Sequence, residues 1–72
     1  MNVHVFETSV SSKDFRKHRK TFERVWQNLR WNFDFEDNQN ILKIVDTNQD
    51  KSAIRSVHRT MRKLGFKCEE IF

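Results

Sequence analysis

Residues 31–36 alternate without a break: Trp31, Phe33 and Phe35 are separated by Asn32, Asp34 and Glu36. A period of two places the three rings on one side of a strand and the polar groups on the other. A dry face of that size has to be covered. Upstream, Phe15, His18, Phe22, Val25, Trp26 and Leu29 recur at steps of three and four, with Lys13, Arg16, Lys17, Arg19, Lys20 and Arg24 filling most of the rest. This spacing predicts a helix with one packing face and one basic face. Ser11, followed three residues later by Asp14, matches a capping box, so the helix is expected to begin near Ser12.

The other segments read in the same way. NVHVFET alternates, Val3 and Val5 on one face and His4 and Phe6 on the other, which predicts a first strand. After the turn residues EDNQN, NILKIVD (Ile41, Leu42, Ile44, Val45) is expected to return as the second strand of a hairpin. Its inward face is ambiguous, because both parities carry apolar residues. Thr47 or Asn48 is placed to cap a second helix over roughly 49 to 64, with Asp50 in its first turn. Ile54, Val57, Met61 and Leu64 form its packing face, and Gly65 stands where a helix end needs a left-handed residue. FKCEEIF reads as a short last strand with Phe66 and Cys68 on one side. The order strand, helix, strand, strand, helix, strand is the split βαβ arrangement of ferredoxin-like domains. The expected fold is therefore α+β: a βαββαβ two-layer sandwich with a four-stranded antiparallel sheet and both helices on one face. No linker or repeat interrupts the pattern, so residues 1–72 are expected to form a single domain.

Size limits what such a chain can do. A domain of about this length buries only about 60% of the surface its unfolded form exposes, so its nine aromatic residues are needed in the core, and a catalytic cleft would compete for them. One cysteine, Cys68, rules out an intramolecular disulfide and a four-Cys zinc site. MNVHVFETSV lacks the pattern of an export signal, and no apolar run approaches the about 18 residues of a membrane span. A cytoplasmic protein without a membrane segment is the expectation.

The spacing of the six elements resembles that of the heavy-metal-associated domain family, the small ferredoxin-like modules of copper chaperones and metal-transporting ATPases. The likeness covers nearly the full length: a first strand ending at Thr8, a short loop into helix one, the WNFDFED and NILKIVD hairpin, a second helix, and GFKCEE at the end. In that family the loop after the first strand carries Gly-Met-x-Cys-x-x-Cys, whose two thiolates hold a soft cation. Setting the family's helix pattern on Phe15, His18 and Phe22 puts Thr8 and Ser9 at the Gly-Met positions and Ser11 and Asp14 at the two cysteines. A hydroxyl and a carboxylate are hard ligands, whereas Cu(I) selects polarizable thiolates. The resemblance thus implies the fold without the metal function: no cofactor, and a helix cap at Ser11 and Asp14 where the metal site was.

Other candidate sites are sparse. His4, His18, His58 and Cys68 show neither i,i+4 nor Cys-x-x-Cys spacing, and Cys68 reads as a small buried apolar residue. Acylphosphatases share this fold, but the loop TSVSSKD has neither the glycines nor the arginine of their phosphate cradle. Ser9, Ser11 and Ser12 have no base in view, so no enzyme is expected. RNA-recognition motifs also share the order of elements, and the charge is uneven: +5 over residues 13–30, +6 over 51–67 and −4 over 31–50. With Trp31, Phe33 and Phe35 turned to the helices, the open side of that strand shows Asn32, Asp34 and Glu36, which weighs against nucleic acid on the sheet. The leading expectation is a non-enzymatic module that binds a protein partner or itself as a homo-oligomer. Its contact surface is expected on the open sheet face at His4, Phe6 and either Ile41 or Leu42, or along an edge strand, with Arg16, Lys17, Lys20 and Arg24 as exposed basic positions of helix one. Two alternatives stand beside it: a degenerate metal binder using His18, Asp14 or Cys68, and weak nonspecific nucleic-acid binding through the basic helices.

Overall fold

Ser11 sits in extended conformation (φ −78°, ψ 169°); its side chain accepts the Asp14 N–H, and the Asp14 carboxylate accepts the Ser11 N–H. This reciprocal box satisfies two backbone donors that a helix start leaves open, and α1 runs from it over Ser12–Val25. The structure, a computed structural model, describes residues 2–36, 39–46 and 51–71. Around α1 the chain adds β1 (Asn2–Thr8), β2 (Arg30–Asp34), β3 (Ile41–Asp46), α2 (Lys51–Leu64) and β4 (Cys68–Glu70). The caps expected at Thr47 or Asn48, Asp50, and part of the turn between β2 and β3 lie outside the described residues.

The strands form one sheet in the order β2-β3-β1-β4, and every neighbouring pair is antiparallel. The register places Phe6 opposite Leu42, which in turn faces Phe33, and His4 opposite Ile44, which faces Trp31. These residues share one side of the pleat. Phe15 of α1 meets Phe33 at 5.2 Å between centroids, and His58 of α2 stands edge-on to Phe6 at 5.5 Å. Both helices therefore cover the same face of the sheet, as the ferredoxin-like order requires. Leu42 and Ile44 are fully buried, which settles the inward parity of β3 and turns Ile41, Lys43 and Val45 outward.

Phe6, Val10, Phe22, Trp26, Leu42, Ile44, Val57 and Met61 make up the solvent-free core. Trp26 caps the end of α1, and its ring packs on Phe22 at 4.9 Å and Trp31 at 5.4 Å. Its indole N–H is buried without a hydrogen-bond partner. An unpaired group of this kind costs about 1–3 kcal/mol. Two ring contacts worth about 0.5–1.5 kcal/mol each, added to burial of the ring itself, offset that cost. Val25, expected on the packing face, is 42% exposed. Trp26, one residue and 100° further round, takes the inward position, and Leu29 packs from the turn that follows.

The end of α2 is set by backbone geometry. Gly65 adopts φ +85°, the Gly65 N–H bonds to the Arg62 carbonyl at 3.1 Å and the Phe66 N–H bonds to the Met61 carbonyl at 2.8 Å. These two bonds define a Schellman turn, which a residue with a Cβ enters only with strain. Phe66 is thereby swung back against the core, and β4 follows at once. Among the described residues no helix is long and apolar enough to cross a membrane.

Candidate functional site

The loop between β1 and α1 is closed by its own hydrogen bonds. The Thr8 hydroxyl donates to the Asn40 carbonyl at 3.1 Å and accepts the Val10 N–H at 3.2 Å. Ser9 bonds across to the chain entering β4: its hydroxyl accepts the Lys67 N–H at 2.8 Å and its own N–H reaches the Lys67 carbonyl at 3.1 Å. The Ser11 hydroxyl donates to Asp14 Oδ2 at 3.0 Å and accepts the Asp14 N–H at 3.1 Å, while the Ser11 N–H reaches Oδ2 at 3.2 Å. The bonds from the Ser11 backbone and then from its hydroxyl hold the Asp14 carboxyl below its ordinary value of 3.8, with smaller help from His18 and Lys17. The hydroxyls of Thr8, Ser9 and Ser11 all have protein partners. Thr8, Ser9, Ser11 and Asp14, the positions that the family resemblance aligned with a metal loop, form a tied-down helix start.

The remaining candidate ligands are kept apart. His4 stacks on Phe6 at 6.4 Å and its Nδ1 lies 2.6 Å from Glu70 on β4. His18 stands edge-on to Phe66 at 5.5 Å. His58 and Cys68 line one cleft of about 210 Å³ with Met61, Arg62 and Phe66. Burial, and secondarily the charge of Glu70, pushes the Cys68 thiol from 9.0 up to about 11. At neutral pH it is a neutral thiol, a poor nucleophile and a poor ligand without an incoming cation to displace its proton. Among the described residues no three His, Cys, Asp or Glu side chains converge in a metal-holding group.

The open side of the sheet differs from the expected contact surface. Phe6 and Leu42 are fully buried, and His4 shares their side, under the helices. The expectation that His4, Phe6 or Leu42 faces outward is thus corrected: the parity of β1 is set by the Phe6 ring, which α2 needs, and Val3 and Val5 turn out instead. Ile41 is on the open face, as one of the two options had it. The register lays this face out in three rows: Arg30, Val45 and Val3 at one end; Asn32, Lys43, Val5 and Ile71 in the middle; Asp34, Ile41, Glu7 and Glu69 at the other. Val3 and Ile71 are 54% and 48% exposed, unusually open for large apolar side chains in this molecule. The acidic end holds a dish of about 370 Å³ lined by Glu7, Ile41 and Ile71 with Thr8, Gln39 and Asn40. The sequence reading passed over Val3, Val45 and Ile71; the length of the β1–β3 ladder and the outward parity of β3 are what bring them together. Arg16, Lys17, Lys20 and Arg24 are exposed on α1, as expected.

No family model matches the chain, and no curated protein or solved structure matches it significantly.

Three outcomes follow for these side chains. Ser11→Ala lowers stability by about 1 kcal/mol in denaturant unfolding. Because the Asp14 carboxyl is held low in the folded state, its contribution is fully present above the unfolded value of 3.8 and is lost as pH falls through the lower folded value. The stability gap between wild type and Asp14→Asn is expected to be constant from about pH 5 to 8 and to close in more acid solution; a gap that persists unchanged in strong acid contradicts the cap. Cys68 is expected to react with a disulfide reagent about tenfold more slowly in the folded than in the unfolded protein: the rise of its thiol from 9.0 to about 11 lowers the thiolate fraction about 100-fold, and the greater nucleophilicity of the more basic thiolate returns about tenfold of that. Equal rates would show that the thiol is not held neutral.

Proposed function

We propose that the chain is a metal-free, non-catalytic interaction module of the heavy-metal-associated type, and that it joins a second copy of itself through the open face of the sheet. The observation that carries this reading is the arrangement of charge along the face. Three carboxylates, Asp34, Glu7 and Glu69, occupy one end, while Lys43 and Arg30 lie in the middle and at the opposite corner. A second copy packed in the same direction sets acid on acid. A copy turned end for end lays its basic end over the acidic end, and a two-fold axis makes the same match twice.

The apolar side chains suit the same geometry. Val3, Val5, Val45, Ile41 and Ile71 form a stripe of branched residues without a large ring, flat enough for sheet-on-sheet packing at about 10 Å. In the end-for-end arrangement the exposed Val3 of one copy approaches the dish beside Ile41 and Ile71 of the other. Burying this stripe adds core that a 72-residue chain is short of on its own. The hydrogen-bonded state of the loop at Ser11 and Asp14 supports the metal-free part of the reading.

Light scattering behind size exclusion tests the association. The expected mass rises with concentration toward twice 8.8 kDa. Arg30→Glu and Asp34→Lys, at the two ends that the end-for-end arrangement lays on each other, each shift the protein to monomer, and the double variant, which restores the opposition of charges, recovers the dimer. A strict monomer at millimolar concentration would sink the proposal, as would dimers indifferent to all three variants.

A further inference from the structure

The outer side of the helix layer has no part in the sheet contact, and its charge is predominantly positive. On α2, Arg55, His58, Arg59 and Arg62 follow at steps that keep them on one stripe, and together they line a groove of about 380 Å³. On α1, Arg16, Lys17, Lys20 and Arg24 are all exposed. The two helices contain only two acidic residues, Asp14 and Glu23. Asp14 is spent on the cap, and Glu23 is paired with Arg19 at 2.9 Å. Among the described residues, none of the three arginines of the α2 stripe has an ion pair, nor has any of the four α1 cations just named. Among the described residues, Glu7, Asp34 and Glu69 stand on the opposite side of the sheet, and Glu70 is paired with His4.

Cations gathered on one side repel one another, and a polyanion relieves that repulsion. The surroundings choose among polyanions. Peripheral attachment to a membrane takes an apolar insertion beside the basic patch, and among the described residues the only large apolar side chain exposed on either helix is Val25. A specific protein interface needs a dehydrated apolar centre, which this side lacks for the same reason. Single-stranded nucleic acid is held by aromatic side chains that stack on bases, and no large aromatic is exposed among the described residues. What remains is contact with phosphates alone. The stripe from Arg55 to Arg62 runs about 10 Å along the helix axis, a length over which a duplex presents about six phosphate charges. Arginine is suited to the task, since its fork meets phosphate oxygens two at a time.

We propose that the helix layer binds the phosphate backbone of double-stranded nucleic acid without reading its sequence, with Arg55, Arg59 and Arg62 as the main contacts and Arg16 and Lys20 extending the surface. The sheet, acidic at one end and stripped of exposed rings, takes no part. This function is separate from self-association and does not depend on it.

Fluorescence anisotropy with two labelled DNA duplexes of unrelated sequence, titrated with the full chain between about 20 and 300 mM salt, tests the proposal. Both duplexes are expected to bind equally, with log K falling linearly against log salt. Arg55→Glu/Arg59→Glu/Arg62→Glu weakens binding at least tenfold and flattens the salt slope by about 2.7, from about 0.9 per lost phosphate contact. Arg16→Glu/Lys20→Glu weakens it to a smaller degree; circular dichroism confirms that each variant is folded. Absence of binding at the lowest salt overturns the proposal, as does binding untouched by the α2 variant. Equal or tighter binding to polyglutamate, or to vesicles of phosphatidylserine, likewise overturns it in favour of an acidic protein or a lipid surface.

Discussion

The contact between α1 and β2 is made almost entirely of aromatic rings, and the rest of the structure is arranged around it. Phe15 alone touches Phe22, Trp31, Phe33 and Phe35 at 5.2 to 6.3 Å, and Phe22 meets Trp26, Trp31 and Phe33 at 4.9 to 6.2 Å. In a chain this short, rings of that volume leave room for only one covered face. They draw both helices to one side of the sheet, and the other side is left to Val, Ile and charge. The sorting of charge follows: the helices, whose inner faces are filled with rings, carry mostly cations outward, and Glu7, Asp34 and Glu69 gather at one end of the open side of the sheet. The two proposed contacts, a second copy on the sheet and a phosphate backbone on the helices, use the two sides that this sorting creates.

Hydrogen bonding closes the loop after β1 on its neighbours. Thr8 and Ser9 tie it to Asn40 and Lys67, and Ser11 and Asp14 tie it to the first turn of α1. A thiolate pair organises such a loop by sharing a cation; here each hydroxyl answers a backbone group within reach. The positions are the ones that the resemblance to heavy-metal-associated domains marks out, and a hydroxyl with a carboxylate at that spacing is what a capping box needs.

Much of the fold was legible in the sequence, because its signals were local. The period of two in Trp31, Phe33 and Phe35, the period of three and four from Phe15 to Trp26, the cap at Ser11 and the left-handed Gly65 each name an element, and their order names the topology. The parity of β1 and β3 was not legible. Val3 and Val5 against His4 and Phe6, or Ile41 and Val45 against Leu42 and Ile44, are apolar on both faces. The choice is made at a distance, by Phe6 packing under His58 and by Leu42 lying between Phe6 and Phe33. The open face was misplaced for that reason, with His4 and Phe6 assigned to it in place of Val3 and Val5. The basic helical surface was visible as composition, but the lack of ion partners for Arg55, Arg59 and Arg62 required the fold.

The reading of the Ser11–Asp14 loop as a helix start and nothing more is tested most directly by thermal unfolding under reducing conditions, with and without an excess of Cu(I), Zn(II) or Ni(II). A cation held by the folded chain at 100 times its dissociation constant adds about 2.7 kcal/mol, which in a domain of this size raises the midpoint by more than about 10 °C. An unchanged midpoint with each metal is the expected result. A rise of that size, abolished by Ser11→Ala or Asp14→Asn, would mean that the loop still grips a cation.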